Sequence, residues 1–348
     1  MDSMGKYHIC NTNSNSGIVS YGDDFFRIVL QNKGFCQISP ENITREWLKT
    51  LSKNTAFHVE LGSSQFSGRN ALICLIDCGF ENIDVTIHDA PWVTFPFYHS
   101  RYALLNQLLK AFDWYFNTAG ATKRLLKRCR HVYVLSQLGK TLLEQRHKLT
   151  NVLYLPHVID PDKIWRDPIN TDCRDILFFG FIGAIKGLEY ALAVHSELRK
   201  FIPDIRMYVI GEAFNNKAQS ELDRLIDTYS DGVTYLGFVR DSELDGYFSR
   251  VSHVFLPFLP YKYWCPCSGS ILNALRRGRI VWTNPVNAIP EIVRDGVNGQ
   301  YFTGDVGMDA AKFLAVTGQR EKLLQVSTSA IDSCHQSLKE LRLKYKTD

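Results

Sequence analysis

Eleven short apolar runs, separated by segments of helical character, leave this chain few folds to adopt. In the first half the runs are Tyr7–Cys10, Phe35–Ser39, Ala56–Leu61, Val85–His88, Val132–Ser136 and Val152–Leu155. Helical patterns lie between them, among them Phe25–Gln31, Glu41–Ser52 and Tyr98–Asn117. In the second half they are Ile176–Phe179, Met207–Ile210, Val233–Leu236, Val254–Pro257 and Ile280–Thr283. Strand–helix alternation predicts α/β architecture, with parallel sheets joined by right-handed crossovers. Two such series in 348 residues predict two Rossmann-like, doubly wound domains rather than one core. Pro156–Pro161 reads as the linker. The expected division is an N-terminal domain at 1–157, a C-terminal domain at 158–330, and a terminal helix at 331–348 that packs back on the first domain.

The composition narrows the function classes. With 45% hydrophobic and 22% charged residues the chain is ordinary globular material. No apolar run reaches the length of a membrane span. The start, MDSMGKYHICN, carries no apolar leader, so a cytoplasmic protein is expected. The nine cysteines are scattered and read as reduced thiols. Cys265 and Cys267 make a lone C-x-C, too little for a zinc site. Net charge is +4, but residues 1–157 hold 17 Lys+Arg against 12 Asp+Glu, which is +5. The densest stretch, 123–130, opens Lys123-Arg124-Leu125-Leu126-Lys127-Arg128. It reads either as a solvated helix face or as a contact for an anionic membrane surface.

Open parallel sheets bind ligands at the carboxyl ends of their strands, so the strand-end loops are the candidate site. The strongest is Ile176–Gly187, ILFFGFIGAIKG. An apolar run ends in glycines, and Lys186 precedes a helical pattern. Bare N–H groups, the positive end of a helix dipole and an ammonium suit a phosphate. Ser268-Gly269-Ser270 before another helix forms an N-cap with free N–H groups, a second anion seat. Gly211-Glu212 and Gly237-Phe238-Val239 end two further strands and are able to line a nucleotide pocket or merely to turn the chain. Gly17 and Gly22 lie in a polar loop that lacks the G-x-G-x-x-G spacing of a dinucleotide site. His88-Asp89 closes a strand and is a candidate proton carrier or hydrogen-bonding group.

The order of these pieces resembles a known family. Gly180-Phe181-Ile182 with Lys186-Gly187 is followed by Val209-Ile210-Gly211-Glu212, then Leu236-Gly237-Phe238-Val239, then Ser268-Gly269 and finally Pro290-Glu291-Ile292-Val293 with Asn298-Gly299. From about Val132 to Phe302 this is similar to the retaining glycosyltransferases of family 4, group 1, which have the GT-B fold of two Rossmann-like domains facing a cleft. The resemblance implies transfer of a sugar from a UDP- or GDP-sugar to a saccharide or lipid-linked acceptor, with retention, without a metal and without a further cofactor. It implies that Lys186 binds the donor diphosphate, with Gly183 and Asn273 nearby. It places Gly237, Phe238 and Val239 at the base, Ser268, Gly269 and Ser270 at phosphate, Gly17 over the phosphates and His88 by the reacting sugar. Gly211 and Glu212 complete the expected donor site. The family's arginine in the lysine turn falls on Phe181 or Gly183, and its two glutamates fall on Cys265 and Asn273. Arg69, Arg101 and Arg240 are the arginines able to supply the missing charge. A non-catalytic GT-B-like subunit that binds a glycan or a partner is the alternative.

Overall fold

The computed structural model describes residues 5–11, 17–62, 66–90, 102–114, 120–167, 169–213, 215–260 and 268–345. They form two compact units: one runs to Asp160 and takes in 337–345, the other holds 161–260 and 268–336.

The first unit is built on six parallel strands: β1 (Lys6–Ile9), β2 (Cys36–Ile38), β3 (Ala56–Leu61), β4 (Ile83–Ile87), β5 (His131–Val134) and β6 (Val152–Tyr154), in the order β2-β1-β3-β4-β5-β6. The order reverses between β1 and β3. Side chains alternate between faces along a strand. Here the alternation separates two chemistries. Phe57, Val59 and Leu61 of β3, with Val85 and Ile87 of β4 and Val134 of β5, build an apolar core under the helix Phe66–Asp77. On the opposite face His8, His58, Glu60, Asp84 and Thr86 are all buried. That face is covered by Tyr21, Phe25, Leu338, Leu341 and Tyr345.

The second unit has β7 (Ile176–Phe179), β8 (Met207–Ile210), β9 (Val233–Gly237), β10 (His253–Leu256), β11 (Ile280–Thr283) and β12 (Gln300–Tyr301), in the order β12-β11-β10-β7-β8-β9. This is the strand order of the dinucleotide-binding fold, and it reverses between β7 and β10. Trp282, Phe255, Phe302 and Phe313 meet in its core, with Phe255 and Phe302 edge to face at 5.2 Å. The two sheets together give the doubly wound, two-domain α/β fold that the strand–helix alternation predicts.

Two local expectations change. The first helix starts at Gly17 rather than Phe25. It passes into a π-helical turn at Phe26–Leu30 and ends at Gly34, φ 80°. Gly17 and Gly22 are therefore helical residues, and a Cβ on Gly22 would lie 2.3 Å from Cys10 Sγ, so the glycine lets this helix sit on β1. The expected helix at Glu41–Ser52 is a 3-10 turn, Pro40–Asn42, then Arg45–Lys49 capped by Thr44. Of Tyr98–Asn117, the described part is the helix Ala103–Trp114. No helix among the described residues is long and apolar enough to cross a membrane.

Candidate donor and sugar sites

At the carboxyl end of the second sheet, three neighbouring strands finish in glycine. Gly180 follows β7, Gly211 follows β8 and Gly237 ends β9, with φ of 118°, 143° and 65°. These angles favour glycine over any residue with a Cβ. The packing gives a second reason. A Cβ on Gly211 would lie 2.0 Å from the Gly180 carbonyl oxygen. The Gly211 N–H donates to the Gly237 carbonyl at 2.8 Å, and the Gly180 N–H to the Ile210 carbonyl at 3.0 Å. The result is a shelf of bare backbone beside the β7–β10 reversal.

Two distant segments meet over this shelf. A Cβ on Gly180 would lie 2.4 Å from Ser270 Oγ and 4.0 Å from Lys186 Nζ. Gly180 thus brings the helix start Gly269–Leu275 and the lysine to one point. Ser268 caps that helix by accepting from the Ile271 N–H. Lys186 does not open a helix as its pattern suggests. It ends a 3-10 turn, Ala184–Lys186, and Gly187 (φ 71°) separates it from the helix Leu188–Arg199. A Cβ on Gly187 would lie 2.1 Å from the Pro257 carbonyl oxygen, so only glycine fits between the turn and the end of β10. The Lys186 ammonium lies 4.3 Å above the Phe258 ring, a cation–π contact. Burial lowers its pKa to about 8, and no carboxylate among the described residues pairs with it. A half-buried cation without an anion is a seat for one.

The remaining sequence candidates divide. Glu212 is exposed, and its carbonyl accepts from the Ile182 N–H at 2.8 Å. Phe238 is 57% exposed, whereas Val239 is buried and offers only its backbone to a ligand. Asn273 is tied up locally: its Nδ2 donates to the Gly269 carbonyl, and its Oδ1 accepts from Arg277 Nη1, both at 2.9 Å. At Gly183 φ is −161°, extended backbone open to any residue, and a Cβ there would meet nothing within 4 Å. Gly17 likewise has open space around it. Phe181, one of the two positions on which the resemblance places an arginine, exposes 58% of its surface. Arg240 is exposed at the head of Asp241–Ser249, and Arg69 is half-buried with its pKa lowered by burial. Arg101, Cys265 and Cys267 lie outside the described residues. Among the described residues no group of three or more His, Cys, Asp or Glu is placed to hold a metal.

The first unit has its own polar centre at the β1–β3 reversal, and spacing along the sequence does not reveal it. Glu60, 2% exposed, accepts from His88 and His8 and lies at ion-pair distance from His58, whose Nε2 also meets Thr86 Oγ1 at 2.8 Å. Its oxygens lie 2.8 Å from His88 Nε2, 3.1 Å from His8 Nε2 and 3.3 Å from His58 Nε2. Burial pushes the Glu60 carboxyl up, but the bonds to His58, His8 and His88 outweigh it and hold the group well below the usual carboxylate range. Burial lowers His8 despite Glu60. Burial likewise lowers His157 to about 4. Tyr21 stands edge-on between His88 and His157, with ring centroids 4.7 and 4.8 Å away. Further along the same face Asp84 takes two bonds from Arg130 (3.0 and 2.6 Å) and one contact from His131. The signal available in the sequence was the polar residue at every second position of FHVEL and IDVTIH.

Residues 173–317, within the second unit, match the family model described as glycosyl transferases group 1. No curated protein matches the sequence. Among solved structures, Anabaena HepE in complex with UDP is similar at 13% identity and a TM-score of 0.68, over 98% of each chain. The same protein with UDP-glucose gives 14% identity and a TM-score of 0.66 over the same coverage. Sucrose-phosphate synthase from Thermosynechococcus elongatus gives 12% identity and 0.68, over 98% of this chain and 97% of its own. At these identities the likeness is one of fold, and it is the GT-B fold. The family match over 173–317 and this fold together support a glycosyltransferase.

Proposed function

We propose that this chain is a retaining GT-B glycosyltransferase of family 4, using a UDP- or GDP-sugar and a saccharide or lipid-linked acceptor. One observation carries the reading: Lys186 and Ser270 converge over the glycine shelf at the β7–β10 reversal, inside the stretch that matches glycosyl transferases group 1. The proteins that share the fold include one solved with UDP and with UDP-glucose.

In glycosyl transfer the bond from the anomeric carbon to the phosphate oxygen breaks, and negative charge grows on the leaving diphosphate. The Lys186 ammonium and the N–H groups of Gly269 and Ser270 are the donors that meet this charge. The shelf of Gly180, Gly211 and Gly237 lets the nucleotide approach backbone, with the exposed Phe238 ring able to lie against the base. With retention, the acceptor oxygen bonds the anomeric carbon on the face the phosphate leaves, and its proton passes to the departing phosphate oxygen. No protein carboxylate pair and no metal take part in that sequence. His88 is assigned to the sugar. Its Nε2 faces Glu60, so a neutral ring carries its proton there and leaves Nδ1 as an acceptor. Glu60 is thus the positioning residue for His88.

Thermal unfolding in the presence of UDP- and GDP-sugars tests the reading. A donor at about a hundred times its Kd stabilises by about 2.7 kcal/mol and raises Tm accordingly. No shift with any nucleotide sugar would sink it and favour the non-catalytic subunit.

A further inference from the structure

We propose that the helix Ala103–Trp114 is an interfacial anchor that seats the protein on an anionic lipid bilayer. At about 100° per residue, Leu104, Leu108 and Phe112, then Leu105 and Leu109, fall within an arc of about 140°. A helix of a water-soluble unit turns such an arc into the core. Here Leu104 is 71% exposed, Leu108 61% and Leu105 43%. Phe112, at 58%, continues the stripe.

The charge around the helix identifies the occupant. From Arg101 to Arg128 the chain has six Lys and Arg and a single acid, Asp113. The next helix, Ala121–Lys127, buries Leu126 in the apolar core of the first unit, and Arg124, Lys127 and Arg128 are exposed. The chain from Trp114 to Gly120 spans at most about 20 Å, so this basic face stays near the apolar arc. An apolar arc flanked by cations and almost free of acids fits the boundary between phosphate headgroups and acyl chains. A protein partner of mixed charge has no counterpart for so one-sided a surface.

Vesicle co-sedimentation of the full chain tests this without any donor or transfer, so its outcome is separable from that of the transferase reading. Wild type is expected to bind vesicles of equal parts phosphatidylcholine and phosphatidylglycerol at least ~tenfold more tightly than phosphatidylcholine alone, and to release in high salt. Leu104→Gln with Leu108→Gln is expected to lower that binding ~tenfold or more while leaving the melting temperature unchanged, because both side chains already face solvent. Arg124→Glu with Lys127→Glu should remove the preference for phosphatidylglycerol. Wild type that ignores both vesicles, or a leucine variant that binds as wild type does, overturns the proposal. A wild-type dimer that the leucine variant dissociates overturns it too, and makes the arc a contact between copies of the chain.

Discussion

In the proposed reading, Lys186 carries the charge that meets the donor diphosphate. Its ammonium sits on the Phe258 ring with burial holding its pKa near 8, and a diphosphate would restore the charged form. Donor binding is therefore expected to take up a proton. At about pH 8.5, calorimetric titration with UDP in two buffers of different ionisation enthalpy should show uptake of up to about one proton, and Lys186→Met should show none. The same variant should bind UDP at least about tenfold more weakly, since a charge-assisted contact contributes roughly 1.5–3 kcal/mol. His88 and Glu60 form the second residue-level test. His88→Ala and Glu60→Gln are each expected to lower turnover while leaving the Kd for UDP close to wild type. An equal fall in both quantities would mark the pair as structural. Glu60→Gln also shifts the pH profile of turnover if the carboxylate governs the His88 proton, which a purely structural role does not do.

At the scale of elements, the strand-end glycines separate those required by geometry from those that are only permitted. Gly211 combines φ 143° with a carbonyl oxygen 2.0 Å from any added Cβ. Gly211→Ala is expected to destabilise by more than about 2 kcal/mol. Gly183 has extended backbone and open space, so Gly183→Ala should stay within about 0.5 kcal/mol of wild type in a denaturant titration. If Gly183→Ala nevertheless weakens UDP binding, the nucleotide itself approaches that backbone. The strands of the first sheet teach a related lesson. In FHVEL and IDVTIH one face is apolar and the other polar, a pattern of half-exposed strands. The structure buries both faces, and the polar one is satisfied internally by Glu60 and Asp84.

For the whole molecule, buried neutral histidines set the response to acid. Burial holds His157 and His195 near 4 and His253 near 3, against an ordinary value of 6.5. Between about pH 6.5 and 4 the unfolded chain binds protons that the folded chain does not, so stability falls as pH falls through that window. Denaturant midpoints at pH 7 and about pH 5 should show the loss, and His195→Gln should reduce it. Much of the architecture was legible beforehand. All eleven apolar runs are strands, and among the described residues only β12 escapes, because two residues, Gln300–Tyr301, carry no pattern. The first helix reads as starting late because Gly17 and Gly22 look like loop residues, and only the close approach to Cys10 explains a glycine inside that helix. Lys186 and Ser268–Ser270 each read as a candidate phosphate seat from a glycine turn and a helix cap. Their meeting at Gly180 was not, nor was the gathering of His8, His58 and His88 round Glu60. Periodicity and capping are properties of one segment, so the sequence by itself determined the alternating strands and helices and the separate strand-end loops. Which loops share a site depends on strand order, and a crossover can place the next strand on either side of its predecessor. Only the tertiary structure decided that β10 lies against β7 and β3 against β1. Those two pairings put the lysine beside the serine and the carboxylate among the histidines.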